Sequence, residues 1–150
     1  MGSIRNEAER SELLRRLNRL TGNEVPLWGK MTCDQMLSHL VQGAELPLEA
    51  SVPERSTFMS RNLIKYLVLH VLPIPKEVKV SAEMNQQEKG RPPQGFTADR
   101  EILAELLTRV GTLSDDHRCL NHPMFGKMNA RQWGLIIHKH TDHHLKQFGV

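Results

Sequence analysis

Cysteines, aromatic residues and long apolar runs are all scarce in this chain, and each scarcity excludes a class of protein. Two cysteines in 150 residues cannot build a disulfide framework, so a reducing cytoplasm is the expected location. The first residues are polar and no apolar signal segment follows them. The most apolar stretch, Leu63–Ile74, contains a lysine and a histidine and is too short to cross a bilayer, so no membrane partner is expected.

Phosphate-binding and nucleic-acid-binding signals are also missing. No glycine-rich phosphate loop and no nucleophile–base pair stands out. The net charge is only +3 and no recognition-helix motif is present, so a nucleic-acid partner is not expected. With 39% hydrophobic and 25% charged residues, the chain has the composition of a single globular domain over residues 1–150. Only 5% of the residues are aromatic, and the aliphatic residues recur at helical spacing, which favours an all-α fold.

The spacing of the aliphatic residues predicts four long helices and one additional helix. The four are expected at Asn6–Leu20, Cys33–Leu48, Ala98–Leu113 and Ala130–Phe148, and the additional one at Ser56–Leu72. In the additional helix, Leu63, Leu67 and Val71 have the spacing of a buried stripe. The segment that follows, Pro73–Gly95, holds four prolines and two glycines and is predicted to be a long loop that is functional or mobile.

A ten-residue turn motif occurs twice. Pro26–Gln35 (PLWGKMTCDQ) and Pro123–Gln132 (PMFGKMNARQ) are offset by 97 residues and share five identical positions. Each copy combines a tight turn, an aromatic residue and the N-cap of a helix. The repeat indicates two helix-pair halves related by an approximate two-fold axis, and hence an antiparallel four-helix bundle.

The helix that begins after Asn129 places two histidines on its apolar side. At about 100° per residue, His140 and His144 fall in the same arc as Trp133, whereas His138 lies on the opposite face. Buried imidazoles need polar partners, and a shared metal ion is one way to supply them. The alternatives are core histidines hydrogen-bonded to carbonyl groups, or a histidine-rich surface.

The turn repeat supplies a third histidine. His39 follows its N-cap, Thr32, by seven residues and lies in the corresponding arc of the second helix, beside Met36. Three histidine ligands leave coordination positions open, which is typical of a reactive metal site rather than a closed structural one. The sequence therefore predicts a divalent metal site formed by His39, His140 and His144.

Other polar residues near the predicted site need separate interpretation. Cys33 is either a thiol activated by the helix N-terminus or, the favoured interpretation, a small core residue. Gln147 either orients a metal-bound water or makes a polar contact at the end of the bundle. Asp142 faces away from the histidines and is not expected to be a ligand. The open coordination position is expected in a pocket lined by Met36, Trp133 and Gln147, with the long loop as a lid.

Two stretches carry a resemblance to a known group of proteins. WGKMTCDQMLSHL and HPMFGKMNARQWGLIIHKHTDHHLKQF resemble the DinB/YfiT-like superfamily of metalloenzymes. More narrowly, they are similar to a branch known only as a domain of unknown function that carries paired Gly-Lys-Met turns. The similarity spans nearly the whole chain, and its most specific part is the pattern of His140, His143, His144 and Gln147.

The resemblance implies a fold, a cofactor and partners. Members of the superfamily are antiparallel four-helix bundles that bind one divalent metal ion, often nickel, zinc or iron, through three histidines. Those three match His39, His140 and His144 here. Some relatives are S-transferases or isomerases that use a low-molecular-weight thiol, mycothiol or bacillithiol. By the same resemblance, this chain is expected to form a homodimer.

Two classes of function remain open. The first is a metal-dependent enzyme, a hydrolase or a thiol S-transferase, in which metal-bound water or thiolate attacks a small molecule. The second is a non-catalytic protein that binds a metal or a small ligand. The sequence does not identify a general base, so it does not decide between them.

Overall fold

The computed structural model describes residues 2–49, 52–76, 78 and 80–150. Within them, the chain folds into five α-helices and no β-strand, with one isolated bridge between His122 and Gly126. The helices are α1 (Glu7–Leu17), α2 (Cys33–Glu45), α3 (Lys65–His70), α4 (Phe96–Gly111) and α5 (Ala130–Gln147). A π-helical turn, Ser60–Ile64, leads into α3, and a 3-10 turn, Ala82–Met84, lies in the loop before α4. The prediction of an all-α fold is confirmed.

The two copies of the turn motif start α2 and α5 in the same way. Thr32 and Asn129 are N-caps, and each forms a capping box with the glutamine three residues later. Three residues before each cap stands a glycine with positive φ, Gly29 at 79° and Gly126 at 63°. Left-handed backbone of this kind disfavours residues with a Cβ, which explains why both copies carry glycine there. Both helices therefore begin at the predicted residue.

The four long helices share one apolar core. α4 contacts α1 and α2, while α5 contacts α1, α2, α4 and the short α3. The largest fully buried side chains come from all four long helices: Leu13, Leu17, Met36, Leu37, Leu40, Leu103, Leu107, Trp133 and Leu145. None of the described helices combines the length and apolar character that crossing a membrane requires. The contact between α2 and α5 brings the predicted site residues together.

The additional helix has a different register from the predicted one. Leu63 and Val71 were expected to be buried, but they are 54% and 58% exposed, and Leu69 is the buried leucine of α3. The π-helical turn is the physical reason. It holds about one residue more per turn than an α-helix, so Leu63 within it and Val71 after it are rotated away from the face expected of an α-helix. The burial predicted for Leu63 and Val71 is therefore wrong.

The described part of the long loop is held against α2. Nε2 of Gln42 donates to the carbonyl of Glu83 at 2.8 Å, and the hydroxyl of Ser38 donates to the carbonyl of Arg91 at 2.7 Å. Arg91 also forms an ion pair of 2.7 Å with Asp99 of α4, whose side chain is fully buried. Residues 82–94 therefore lie as an anchored strap beside α2.

Candidate metal centre

The three predicted histidines meet where α2 faces α5. His39 lies in the middle of α2, and His140 and His144 are one turn apart on α5. Nε2 of His140 is 2.9 Å from Nε2 of His39 and 3.1 Å from Nε2 of His144. The ring planes are inclined to one another by 75–81°, so the three imidazoles face their common centre at different angles. The structure therefore brings together the set that the sequence predicts.

The separations between the nitrogens fit a shared metal ion. Two imidazole nitrogens that each lie about 2.0–2.1 Å from one ion are roughly 2.9–3.4 Å apart for bond angles between about 90° and 110°. The observed separations of 2.9 and 3.1 Å fall in this interval. One ligand atom from each histidine lies within 4.8 Å of the others. Both separations made by His140 therefore fit a shared ion, and the three histidines form a group that could hold one.

The hydrogen-bonding capacity of the rings also favours a cation between them. Nε2 of His140 contacts the Nε2 atoms of both His39 and His144. In a neutral imidazole this nitrogen carries either one proton or one lone pair. It can therefore complete a hydrogen bond with one neighbour only, whereas a cation accepts a lone pair from all three rings.

Burial keeps the three imidazoles in the neutral form that binds metals. It lowers the pKa of His39 to about 4, an effect that the nearby backbone of Met84 partly opposes. Burial, followed by the neighbouring His39, lowers the pKa of His144 to about 3. Burial and the two adjacent imidazoles lower the pKa of His140 well below its usual value. At neutral pH all three rings are thus uncharged.

The surroundings of the three rings differ. His39 and His144 are buried, whereas part of His140 is open to solvent. Nδ1 of His39 faces no hydrogen-bond partner within the described part of the chain. A Cβ added at Gly43, one turn after His39, would lie 3.2 Å from Nδ1 of His140. This glycine allows α2 to lie close to the imidazole on α5.

Gln147 contacts a histidine. Its Oε1 is 2.7 Å from Nδ1 of His144, and its Nε2 donates to the carbonyl of Trp28 at 2.6 Å. Gln147 is 3% exposed, so both ends of its amide are used inside the protein. Of the two predicted roles, the geometry matches a polar contact at the end of the bundle, and that contact is made to one of the three histidines.

The other residues predicted to line the pocket are in the core. Met36 is fully buried one turn before His39. Trp133 is also buried, its Nε1 donates to the carbonyl of Leu120 at 3.2 Å, and its ring lies 5.1 Å from that of His122. Two surface clefts lie elsewhere. One is lined by residues of the loop before α5, the other by α3 and Gln132, and neither includes any of the three histidines.

Cys33 and Asp142 behave as the favoured interpretations predict. Burial, followed by the nearby carboxylate of Glu24, raises the pKa of the Cys33 thiol to about 12, so it is a core residue and not an activated thiol. Asp142 forms an ion pair of 2.7 Å with Arg16 on α1 and another with Lys146. Neither side chain belongs to the three-histidine group.

Two neighbours of the site were not predicted. His122, in the turn before α5, accepts the backbone N–H groups of Met124 and Phe125 through Nδ1, and burial lowers its pKa to about 4. Met84 in the strap places its backbone beside His39. His122 stands immediately before the second copy of the turn motif, and its position before Pro123 is a turn signal. No local signal marks Met84, because its position depends on hydrogen bonds to α2 made by residues about 50 positions apart.

Comparison with known proteins gives one match. Residues 6–149 match the model of a family described as a protein of unknown function, DUF1569. Neither the search of curated proteins nor that of solved structures returned a match. The matched region contains α1 to α5 and all three histidines.

Proposed function

Because the chain belongs to the DUF1569 family, whose function is unknown, we propose its function from the geometry of the three-histidine site. The proposal is that His39, His140 and His144 hold one divalent metal ion. The observation that carries it is the convergence of three Nε2 atoms at separations of 2.9 and 3.1 Å. Nickel, zinc and iron all accept imidazole ligands, and the proposed ion is one of these.

The proposed activity is that of a metal-dependent hydrolase or thiol S-transferase acting on a small molecule. A bound divalent ion lowers the pKa of a coordinated water or thiol and so supplies a nucleophile near neutral pH. Within the described residues the group holds three histidines and no fourth His, Cys, Asp or Glu, which leaves a position for substrate or solvent. His140 is the least buried of the three histidines, which favours access of a small molecule from its side. The strap shields the side of His39.

A non-catalytic metal or small-ligand binder is the second candidate. One observation favours it: within the described residues, no carboxylate joins the three-histidine group to act as a general base. The two candidates share the site and differ only in turnover. A low-molecular-weight thiol is the proposed small-molecule partner of the enzyme.

We also propose that the family belongs to the DinB/YfiT-like superfamily and has its antiparallel four-helix bundle with two related halves. The equivalent capping boxes and left-handed glycines before α2 and α5 support this arrangement. So does the helix packing, in which α1 and α2 each contact both α4 and α5. An experimental structure in which a two-fold rotation fails to superpose the two turns and their helices would contradict it.

A homodimer is the proposed assembly. Six apolar or aromatic side chains between residues 58 and 72 are 48–86% exposed: Phe58, Met59, Leu63, Tyr66, Val71 and Leu72. We call this set the α3 face. A concentration of exposed apolar side chains of this kind is typical of a protein–protein interaction surface. A second copy of the chain that buries its own α3 face there would cover both.

Metal analysis tests the proposed site. Protein purified without added metal should contain about one divalent ion per chain and lose it on chelation, and also when acid protonates the imidazoles. Replacing His39, His140 or His144 by Ala should abolish binding. His138→Ala is the matched control, because His138 is on α5 but outside the group, and it should bind normally.

Activity screens separate the two candidates. The loaded protein is assayed for hydrolysis of activated esters and amides, and for transfer of small thiols to electrophiles. Turnover that His140→Ala removes supports the enzyme, and loaded protein without turnover in either screen supports the binder. Equal metal content in the His138, His140 and His144 variants would contradict both candidates.

A further inference from the structure

Gln147 links the end of α5 to the first copy of the turn motif at two points. Its backbone carbonyl accepts the N–H of Leu27 at 2.8 Å, and its side-chain Nε2 donates to the carbonyl of Trp28 at 2.6 Å. The other end of the amide, Oε1, lies 2.7 Å from Nδ1 of His144. The side chain is buried, so water does not compete for either bond.

The carbonyl of Trp28 decides which way the amide points. An amide turned by 180° has nearly the same shape, so His144 alone would accept either end. A backbone carbonyl can only accept a hydrogen bond, so the NH₂ group must face Trp28. The oxygen of Gln147 then faces His144, and Nδ1 of His144 must carry the proton. In the neutral ring, Nε2 is left with its lone pair.

We propose that Gln147, held by the carbonyl of Trp28, is a positioning residue that sets the tautomer of His144. The proton stays on Nδ1, and the Nε2 lone pair points towards His39 and His140. Free imidazole side chains in water prefer the opposite tautomer, which has no lone pair on Nε2. An effect of Gln147 on metal affinity is expected only if the proposed metal site exists. The tautomer of His144 does not depend on that proposal.

Gly29 supports this assignment independently. It follows Trp28 and has a φ of 79°, and a Cβ at this position would lie 2.8 Å from Nε2 of Gln147. A residue with a Cβ would clash with the side-chain amide of Gln147 and would also strain the backbone of the turn.

Nitrogen NMR of the metal-free protein, labelled with ¹⁵N-histidine, reads the tautomer directly. His144 should be protonated at Nδ1 in the wild type. Gln147→Leu should shift it towards the Nε2-protonated form, and Gln147→Glu, which keeps an acceptor for Nδ1, should restore the wild-type tautomer. Gln132→Leu is the matched control: it changes the same residue type on the same helix and breaks the capping box at the other end. It should leave His144 unchanged.

Metal affinity is then measured by titrating the same proteins with Co²⁺, followed by its visible absorption, with Zn²⁺ as competitor. Loss of an outer hydrogen bond to a ligating histidine typically weakens binding about 10–100-fold, and Gln147→Leu should show this loss. Gln147→Glu and Gln132→Leu should bind within a few-fold of the wild type.

The outcomes separate this inference from the metal proposal. A wild-type His144 protonated at Nε2, or an unchanged tautomer in Gln147→Leu, would overturn the inference. If Gln147→Leu does not fold, the wild-type and Gln147→Glu spectra still decide it. Correct tautomers with no metal binding in any protein would support the inference and overturn the proposed site.

Discussion

Gly43 shows how a single hydrogen atom in place of a side chain can matter to a metal site. It lies inside α2, where glycine is less favourable than alanine by about 1 kcal/mol. A Cβ there would come within 3.2 Å of Nδ1 of His140, closer than an ordinary contact. Glycine at this position therefore lowers the stability of α2 but leaves space for the imidazole of His140.

Gly43→Ala should consequently separate stability from metal affinity. We expect the metal-free variant to be as stable as the wild type or more so, because the helical gain offsets the contact with His140. Metal should bind more weakly, because the imidazole must move by a few tenths of an ångström. Thermal unfolding in chelator and metal titration measure the two quantities. Thr108→Ala, on the exposed side of α4, is the helix-propensity control, and unchanged affinity in Gly43→Ala would contradict the argument.

Acid sensitivity is a second prediction at the residue scale. His122 titrates at about 4 in the folded protein because it is buried, and near 6.5 when unfolded. The unfolded chain therefore takes up its proton first, so the stability is complete above about pH 6.5 and is lost as the pH falls towards 4. In this interval each such histidine contributes a slope of about 1.4 kcal/mol per pH unit.

The measurement is urea unfolding of metal-free protein from pH 7 to 4.5, with His122→Asn for comparison. Asparagine keeps an acceptor for the backbone N–H groups of Met124 and Phe125 but does not titrate. The free energy of unfolding of the His122→Asn variant should decrease less between pH 7 and pH 4.5 than that of the wild type. Equal slopes would show that His122 is not kept neutral by burial.

The candidate ligands could be predicted from the sequence because helical geometry is regular. An N-cap followed by about 100° per residue places His39, His140 and His144 correctly when the caps are identified. The contact between Gln147 and Trp28 could not be predicted, because the two residues are 119 positions apart and meet through a turn. Helical spacing describes one element at a time and gives no distance between elements.

At the scale of elements, one buried ion pair ties the strap over 82–94 to α4. Asp99 accepts from Arg91 at 2.7 Å and from the backbone N–H of Gln94 at 2.8 Å, and its side chain is fully buried. Arg91 in turn contacts Ser38 on α2. Removing one partner of a buried pair leaves the other charge without compensation.

Asp99→Ala should therefore release the strap. We expect a loss of roughly 3–5 kcal/mol in the free energy of unfolding, together with faster amide hydrogen exchange across residues 82–94. Urea unfolding and exchange mass spectrometry measure these effects. Glu12→Ala, which removes a surface pair with Arg15, should change neither. A stable variant with unchanged exchange would mean that the strap is held by other contacts.

The starts of α2 and α5 and the presence of the additional helix were predictable, whereas the register of the additional helix was not, for a physical reason. α2 and α5 begin at capping boxes that can be recognised in the sequence, and α2 ends before Pro47, which cannot continue helical hydrogen bonding. Nothing in the sequence marked the π-helical turn at Ser60–Ile64. Since Ser60 is buried and donates to the carbonyl of Met124, a tertiary contact accompanies the change of register.

At the scale of the whole molecule, the α3 face predicts an oligomeric state. Wild-type protein should run as a dimer in size-exclusion chromatography with light scattering. Phe58→Ser combined with Leu63→Ser should give a folded monomer, because both side chains are exposed and their loss removes little from the core. Val25→Ser, an equally exposed apolar residue elsewhere, should remain a dimer. A monomeric wild type would contradict the proposal.

The ligands on α2 and α5 come from distant parts of the chain, since His39 and His140 are 101 residues apart. An ion bound to both would be a crosslink around a loop of that length, and closing so long a loop in an unfolded chain is entropically unfavourable. Metallation would therefore follow docking of α5 and could not begin on a ribosome-bound chain that still lacks it.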